Sequence, residues 1–182
     1  MTGERGGGAV TWGLPGAWVV HDLEEPATVP GWLRRNVPGL RKRFPSGAGG
    51  GVAAGRDHGR GRVATAVGVM GAVVGTAAAA GRLTGGRSGF CQSVLTGFGL
   101  HGVMHLAQAA AVRGYTPGSV TSPLVVLPFT PWARGRLRKA GVLRPARPRD
   151  TVAGSAAAGA GHGRLARRGA PAARLGAPAV MT

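Results

Sequence analysis

Two long stretches of this chain carry no charge at all, and arginine stands at both ends of each. Val63 to Gly81 runs for 19 residues between Arg62 and Arg82, and Ser88 to Val112 for 25 residues between Arg87 and Arg113. Uninterrupted apolar runs of this length favour helices, and the length suits a bilayer crossing. They also set the scale of the whole chain. At 182 residues there is room for one domain with tails. Aromatic residues make up only 5%, so a conventional water-soluble core would be thin. The 43% of residues that count as hydrophobic are largely Ala and Val, gathered into runs and kept apart from the arginines. That segregation is the pattern of a membrane protein.

The formal charge of +17 has two readings. Basic residues neutralise phosphates in nucleic-acid binding, and they also hold the loops beside membrane spans on the cytoplasmic side. The basic stretches here flank apolar runs, and aromatic stacking platforms are missing, which favours the second reading and predicts no specific nucleic-acid partner. A single cysteine, Cys91, excludes an internal disulfide framework.

Two further segments complete the pattern. Residues 6–25 are apolar up to His21 and contain Pro15. A signal peptide is the rival reading. Against it stand a lone Arg5 offset by Glu4, an interrupted apolar region and no small-x-small cleavage site. Residues 120–133 are apolar but interrupted by Pro123, Pro128 and Pro131, and read as a short, kinked or re-entrant piece ending at Trp132. Before them, Thr116-Pro117-Gly118 suits a tight turn with Pro second and Gly third. Residues 26–62 form a basic connector whose prolines at 26, 30, 38 and 45 argue against one continuous element. Residues 134–182 read as a disordered, basic, low-complexity tail. Four full crossings would place connector and tail on opposite sides, against the positive-inside tendency, so 120–133 is the first suspect for failing to cross.

The chain has six acidic residues, and three of them, Asp22, Glu24 and Glu25, follow His21 in the string HDLEE. On a helix, positions three and four apart share a face, which groups His21, Glu24 and Glu25 and turns Asp22 away. The string HGVMH likewise puts His101 and His105 one turn apart, a familiar spacing for metal ligands. Both groups lie in apolar surroundings, where an ionisable side chain is costly and faces a partner or a cavity. Histidine and carboxylate satisfy each other there in two ways. They bind a divalent transition metal, Zn²⁺ or Fe²⁺, through His21, Glu24, Glu25, His101 and His105, or they form a structural hydrogen-bond cluster between helices. In the first case Glu24 or Glu25 is the candidate catalytic proton acceptor.

These residues resemble the HXXEE family of small integral membrane proteins. The likeness begins at His21-Asp22-Leu23-Glu24-Glu25 and continues through Val29-Pro30-Gly31-Trp32-Leu33-Arg34-Arg35. It resumes at Leu100-His101-Gly102-Val103-Met104-His105, followed by Gln108, Arg113, Tyr115, Thr116 and Pro117. It covers residues 10–133 apart from 44–62. The family's Asn-x-x-x-His element has no counterpart, since the only asparagine is Asn36 and position 40 is leucine. The resemblance implies a membrane protein and brings no established activity.

The sequence therefore predicts an all-α, multi-span membrane bundle of about three to four helices, with its domain at 6–133. The expected helical segments are 6–25, 63–81, 88–112 and 120–133, followed by the tail at 134–182. The expected location is integral to the cell (plasma) membrane, with membrane lipid as partner. The expected function is a His/Glu intramembrane metal site. The alternative is a non-catalytic membrane component whose His–Glu cluster is structural and which docks a partner or anionic lipid.

Overall fold

A computed structural model describes residues 3–43 and 59–145. The expected connector residues 44–58 and the tail beyond 145 lie outside the described residues. Among the described residues four helices follow one another: α1 (Gly3–Arg43), α2 (Gly59–Leu83), α3 (Gly89–Val112) and α4 (Leu127–Lys139), the last preceded by a π-helical turn at Ser122–Val126. No strand occurs among the described residues, so the all-α expectation holds.

The directions of the helices follow from where small residues allow close approach. Gly81 of α2 lies against Cys91 and Thr11, while Gly71 lies against Trp18, so α2 runs antiparallel to α1. Gly102 meets Val126, Gly99 meets Thr130, and Gln92 bonds to Val142, so the final element runs antiparallel to α3. Helices α1 and α3 are consequently parallel. The core lies at their N-terminal halves, where Val10, Leu14, Val74, Cys91, Leu95 and Leu137 are buried.

Helix ends are closed by local chemistry. The Ser88 hydroxyl accepts from the Cys91 amide at 3.2 Å, satisfying one free N–H of α3. At the other end Arg113 turns left-handed (φ 54°), and Arg113 and Gly114 donate to the carbonyls of Ala110 and Ala109.

Three expectations change here. First, α1 does not stop at the acidic cluster but runs on to Arg43 through Pro26, Pro30 and Pro38. Each proline removes one helix hydrogen bond. Their spacing of four and eight puts all three on one face, and that face is exposed, so solvent compensates the freed carbonyls. Second, the ordered structure passes Arg134: α4 ends at Lys139, and Leu137 and Val142 are buried. Gln92 ties this end down, donating to Val142 at 2.9 Å and accepting from the Arg144 amide at 2.8 Å. Third, the membrane-spanning bundle finds no support, because no helix among the described residues is long and apolar enough to cross a membrane. The apolar part of α2 is chiefly Ala and Gly, and α3 is interrupted by Gln92, His101, His105 and Gln108.

Candidate metal centre

The parallel run of α1 and α3 brings the middle of one helix against the C-terminal half of the other. His21 and Glu25 come from α1, His101 and His105 from α3, and one ligand atom from each lies within 4.8 Å of every other. The three imidazoles stand edge-on to one another, with ring centroids 4.3 to 5.2 Å apart. His105 Nε2 is 2.9 Å from His101 Nε2 and 3.1 Å from Glu25 Oε1. Two imidazole nitrogens on one tetrahedral Zn²⁺ stand about 3.3 Å apart, from bonds of about 2.0–2.1 Å. The His101–His105 pair is a few tenths of an ångström from that spacing.

His21 and His105 are 1% and 4% exposed, yet His21 Nε2 and His105 Nδ1 have no hydrogen-bond partner. An unpaired polar atom this deeply buried is costly. For His21 the proton can be placed. Its Nδ1 is 2.7 Å from Thr121 Oγ1, and Thr121 Oγ1 is 2.6 Å from Glu24 Oε2. A carboxylate only accepts, so the single hydroxyl proton goes to Glu24. The hydroxyl must then accept from His21 Nδ1–H. That tautomer leaves the lone pair of Nε2 bare, as a metal ligand requires. Burial lowers the His21 pKa, and His105 lowers it further; Glu25 and Glu24 pull the other way without reversing it.

Glu24 does not join the four. Adjacent helix positions diverge by about 100°, and Glu24 faces the 115–121 turn instead. Its carboxylate accepts from the Thr121 amide (2.8 Å), the Thr121 hydroxyl (2.6 Å), the Tyr115 hydroxyl (2.9 Å) and the Val120 amide (3.3 Å). Burial alone would raise its pKa, but these donors outweigh it and the pKa falls. Asp22 has no such donors: burial, then the nearby Glu25, pushes it up to about 6.

The turn itself forms as expected, with Ser119 N–H donating to Thr116 O at 3.0 Å and Gly118 at φ 83°. Gly118 is required twice. Its φ is one that L side chains avoid, and a Cβ there would lie 2.5 Å from the His105 ring. The His105 imidazole thus rests on bare backbone. Thr121 escaped the sequence reading, as did the contact of Gly118 with His105 and the role of Tyr115. A hydroxyl beside a turn gives no periodic signal, and its partner is 97 residues away.

Fold and site together define a small α-helical protein with a three-histidine, one-carboxylate cluster between two parallel helices, in which His21 and His105 are buried and Glu25 and His101 half-buried. The family described as protein of unknown function with HXXEE motif matches residues 12–133, and the chain belongs to it. The motif is His21-x-x-Glu24-Glu25, which supplies two of the four cluster residues, His21 and Glu25, and the Glu24 carboxylate that reaches His21 through Thr121. No curated protein matches the chain, and no solved structure does.

Proposed function

We propose that His21, Glu25, His101 and His105 bind a divalent transition metal, with Zn²⁺ or Fe²⁺ the ions best suited to three imidazoles and a carboxylate. The observation that carries this is the buried, unpartnered His21 Nε2, held bare by the Glu24–Thr121–His21 chain, on a residue that shares a group of four ligand atoms within 4.8 Å of one another with Glu25, His101 and His105. In this reading Glu24 is a positioning residue. Four donors occupy its carboxylate, which makes it a poor proton acceptor. A bound ion would supply Lewis acidity or an activated water. The chain's own contribution is to fix the imidazole tautomer and exclude solvent.

The second reading is a structural cluster in a non-catalytic protein. It is favoured by the His105–Glu25 contact, which joins α1 to α3 with no ion, while His105 also meets His101 one turn away on α3. Elemental mass spectrometry of the purified chain separates the two. Near one metal per chain, lost in His101→Ala/His105→Ala, supports the metal site. No metal in either protein, with the variant merely less stable, supports the structural cluster.

The same proposal places the protein at the cell membrane, in contact with lipid. Trp12, Leu23, Val69, Leu83 and Leu124 are each more than 60% exposed, an outward apolar surface that supports the reading. Fractionation of cells tests it: recovery in the membrane fraction is expected, and full recovery without detergent would overturn it.

A further inference from the structure

Apart from the Tyr115 hydroxyl on Glu24, the Trp32–Arg35 stretch and the Arg113–Tyr115 turn make no contact with the chain that orients the imidazoles, yet the fold brings them together. They line an open groove of about 540 Å³ between the later part of α1 and the C-terminus of α3. Arg35 and Arg113 enter it from separate elements, with Trp32, Asn36 and Tyr115 as walls.

Two features make this a built site. The walls are fixed: the Trp32 indole donates to the Tyr115 carbonyl at 2.6 Å, Asn36 Nδ2 donates to the Trp32 carbonyl at 2.9 Å, and the Tyr115 hydroxyl is anchored on Glu24 at 2.9 Å. The charge is unbalanced: among the described residues neither Arg35 nor Arg113 forms an ion pair, and Glu24, the carboxylate that anchors Tyr115, is already taken up by the turn. Two arginines lining one groove give it a positive potential that favours an anion between them. Their planar forks match the oxygens of a phosphate group. Arg113 also holds a left-handed backbone (φ 54°), a conformation with a steric cost for any residue with a Cβ. The volume exceeds what a bare oxyanion fills and falls in the range of small-ligand sites.

We infer that this groove binds a phosphate ester through Arg35 and Arg113, either as a soluble metabolite or as a phospholipid headgroup. The site is separate from the four metal-ligand residues and stands whether or not they bind an ion.

The test uses the full chain at physiological ionic strength, with two probes. One is glycerol 3-phosphate followed by titration calorimetry. The other is flotation with phosphatidylcholine vesicles with and without phosphatidylglycerol. Arg35→Ala/Arg113→Ala is compared with Arg138→Ala/Lys139→Ala, which removes the same charge from exposed positions of α4. The groove variant is expected to weaken binding about tenfold or more, and the control much less. Loss in the calorimetry identifies the soluble ester as a ligand; loss only with anionic vesicles identifies the headgroup. Equal weakening in both variants reduces the effect to general charge and overturns the inference, as does failure of the wild type to bind either probe. Metal content is read in parallel. If it falls in the groove variant, the arginines serve the metal centre and the inference is overturned. Phosphate binding by a wild type that holds no metal would sink the metal reading and leave the groove standing.

Discussion

The two halves of the α1–α3 pair are built from the same helices and solve opposite problems. In the N-terminal half Leu14 and Leu95 are buried beside Leu137 of α4, and small residues bring the backbones close. In the second half His21 and His105 are buried almost as deeply, and each keeps a nitrogen without a partner. Apolar burial stabilises the fold, while unpaired buried nitrogens cost stability. The first half therefore holds the molecule together and offsets the cost of the second. A site of this kind needs that division, because its ligands must stay in place before any ion arrives.

If the halves divide the work, changes in the first should cost stability and leave the site's chemistry intact. Leu95→Ala removes a large, fully buried side chain and is expected to cost about 2–5 kcal/mol in chemical denaturation. Metal per folded chain should not change; a proportional loss of metal would show that the halves are one unit. Gly118→Ala attacks the other half. The backbone strain is about 1–3 kcal/mol, and the added methyl drives His105 from its seat. Metal affinity should fall by more than the loss in stability explains, measured by competition with a chelator.

Glu24→Gln is a finer probe. It keeps the shape and removes the charge, so one of the two oxygens, each of which accepts from two donors, becomes an amide donor facing donors. The side chain must shift, and the charge that draws the Thr121 hydroxyl proton and leaves Thr121 to accept from His21 Nδ1–H is gone. A fall in metal affinity of about 10–100-fold is expected, the usual effect of losing a residue that orients a ligand. Thr121→Val should reproduce it, and an unchanged affinity in both would remove the orienting chain from the account.

The smallest effect concerns Asp22. Its carboxyl is pushed up to about 6 in the fold, above the ordinary 3.8. The folded chain therefore holds the proton more tightly than the unfolded one, and the residue's contribution to stability falls as pH rises from about 4 to about 6. Asp22→Asn should leave stability unchanged near pH 3.5 and raise it by about 1 kcal/mol at pH 7, a figure reduced for solvent screening of a half-exposed group. Equal effects at both pH values would contradict the assignment.

Much of this division is legible in the residues. The charge-free run 63–81 lies within α2, and the run 88–112 is α3 together with its N-cap Ser88. The i, i+4 spacing of His101 and His105, and of His21 and Glu25, states which side chains can meet. What the residues hide has physical causes. Adjacent Glu24 and Glu25 look equivalent in sequence, and only the position of the 115–121 turn separates an anchor from a ligand. Pro26, Pro30 and Pro38 are helix breakers by local rule, yet α1 runs through all three at exposed positions, where water can reach the carbonyls they free. Leu137 and Val142 sit in an arginine-rich segment, and their burial depends on Gln92, 50 residues from Val142.

The most direct test of the account is X-ray absorption at the metal edge of protein loaded with Zn²⁺ and freed of excess ion. The account predicts a first shell of nitrogen and oxygen at about 2.0–2.1 Å with the scattering of three imidazoles. It further predicts that His21→Ala removes one imidazole and leaves two. A shell without imidazole, or no ion retained after loading, would contradict it.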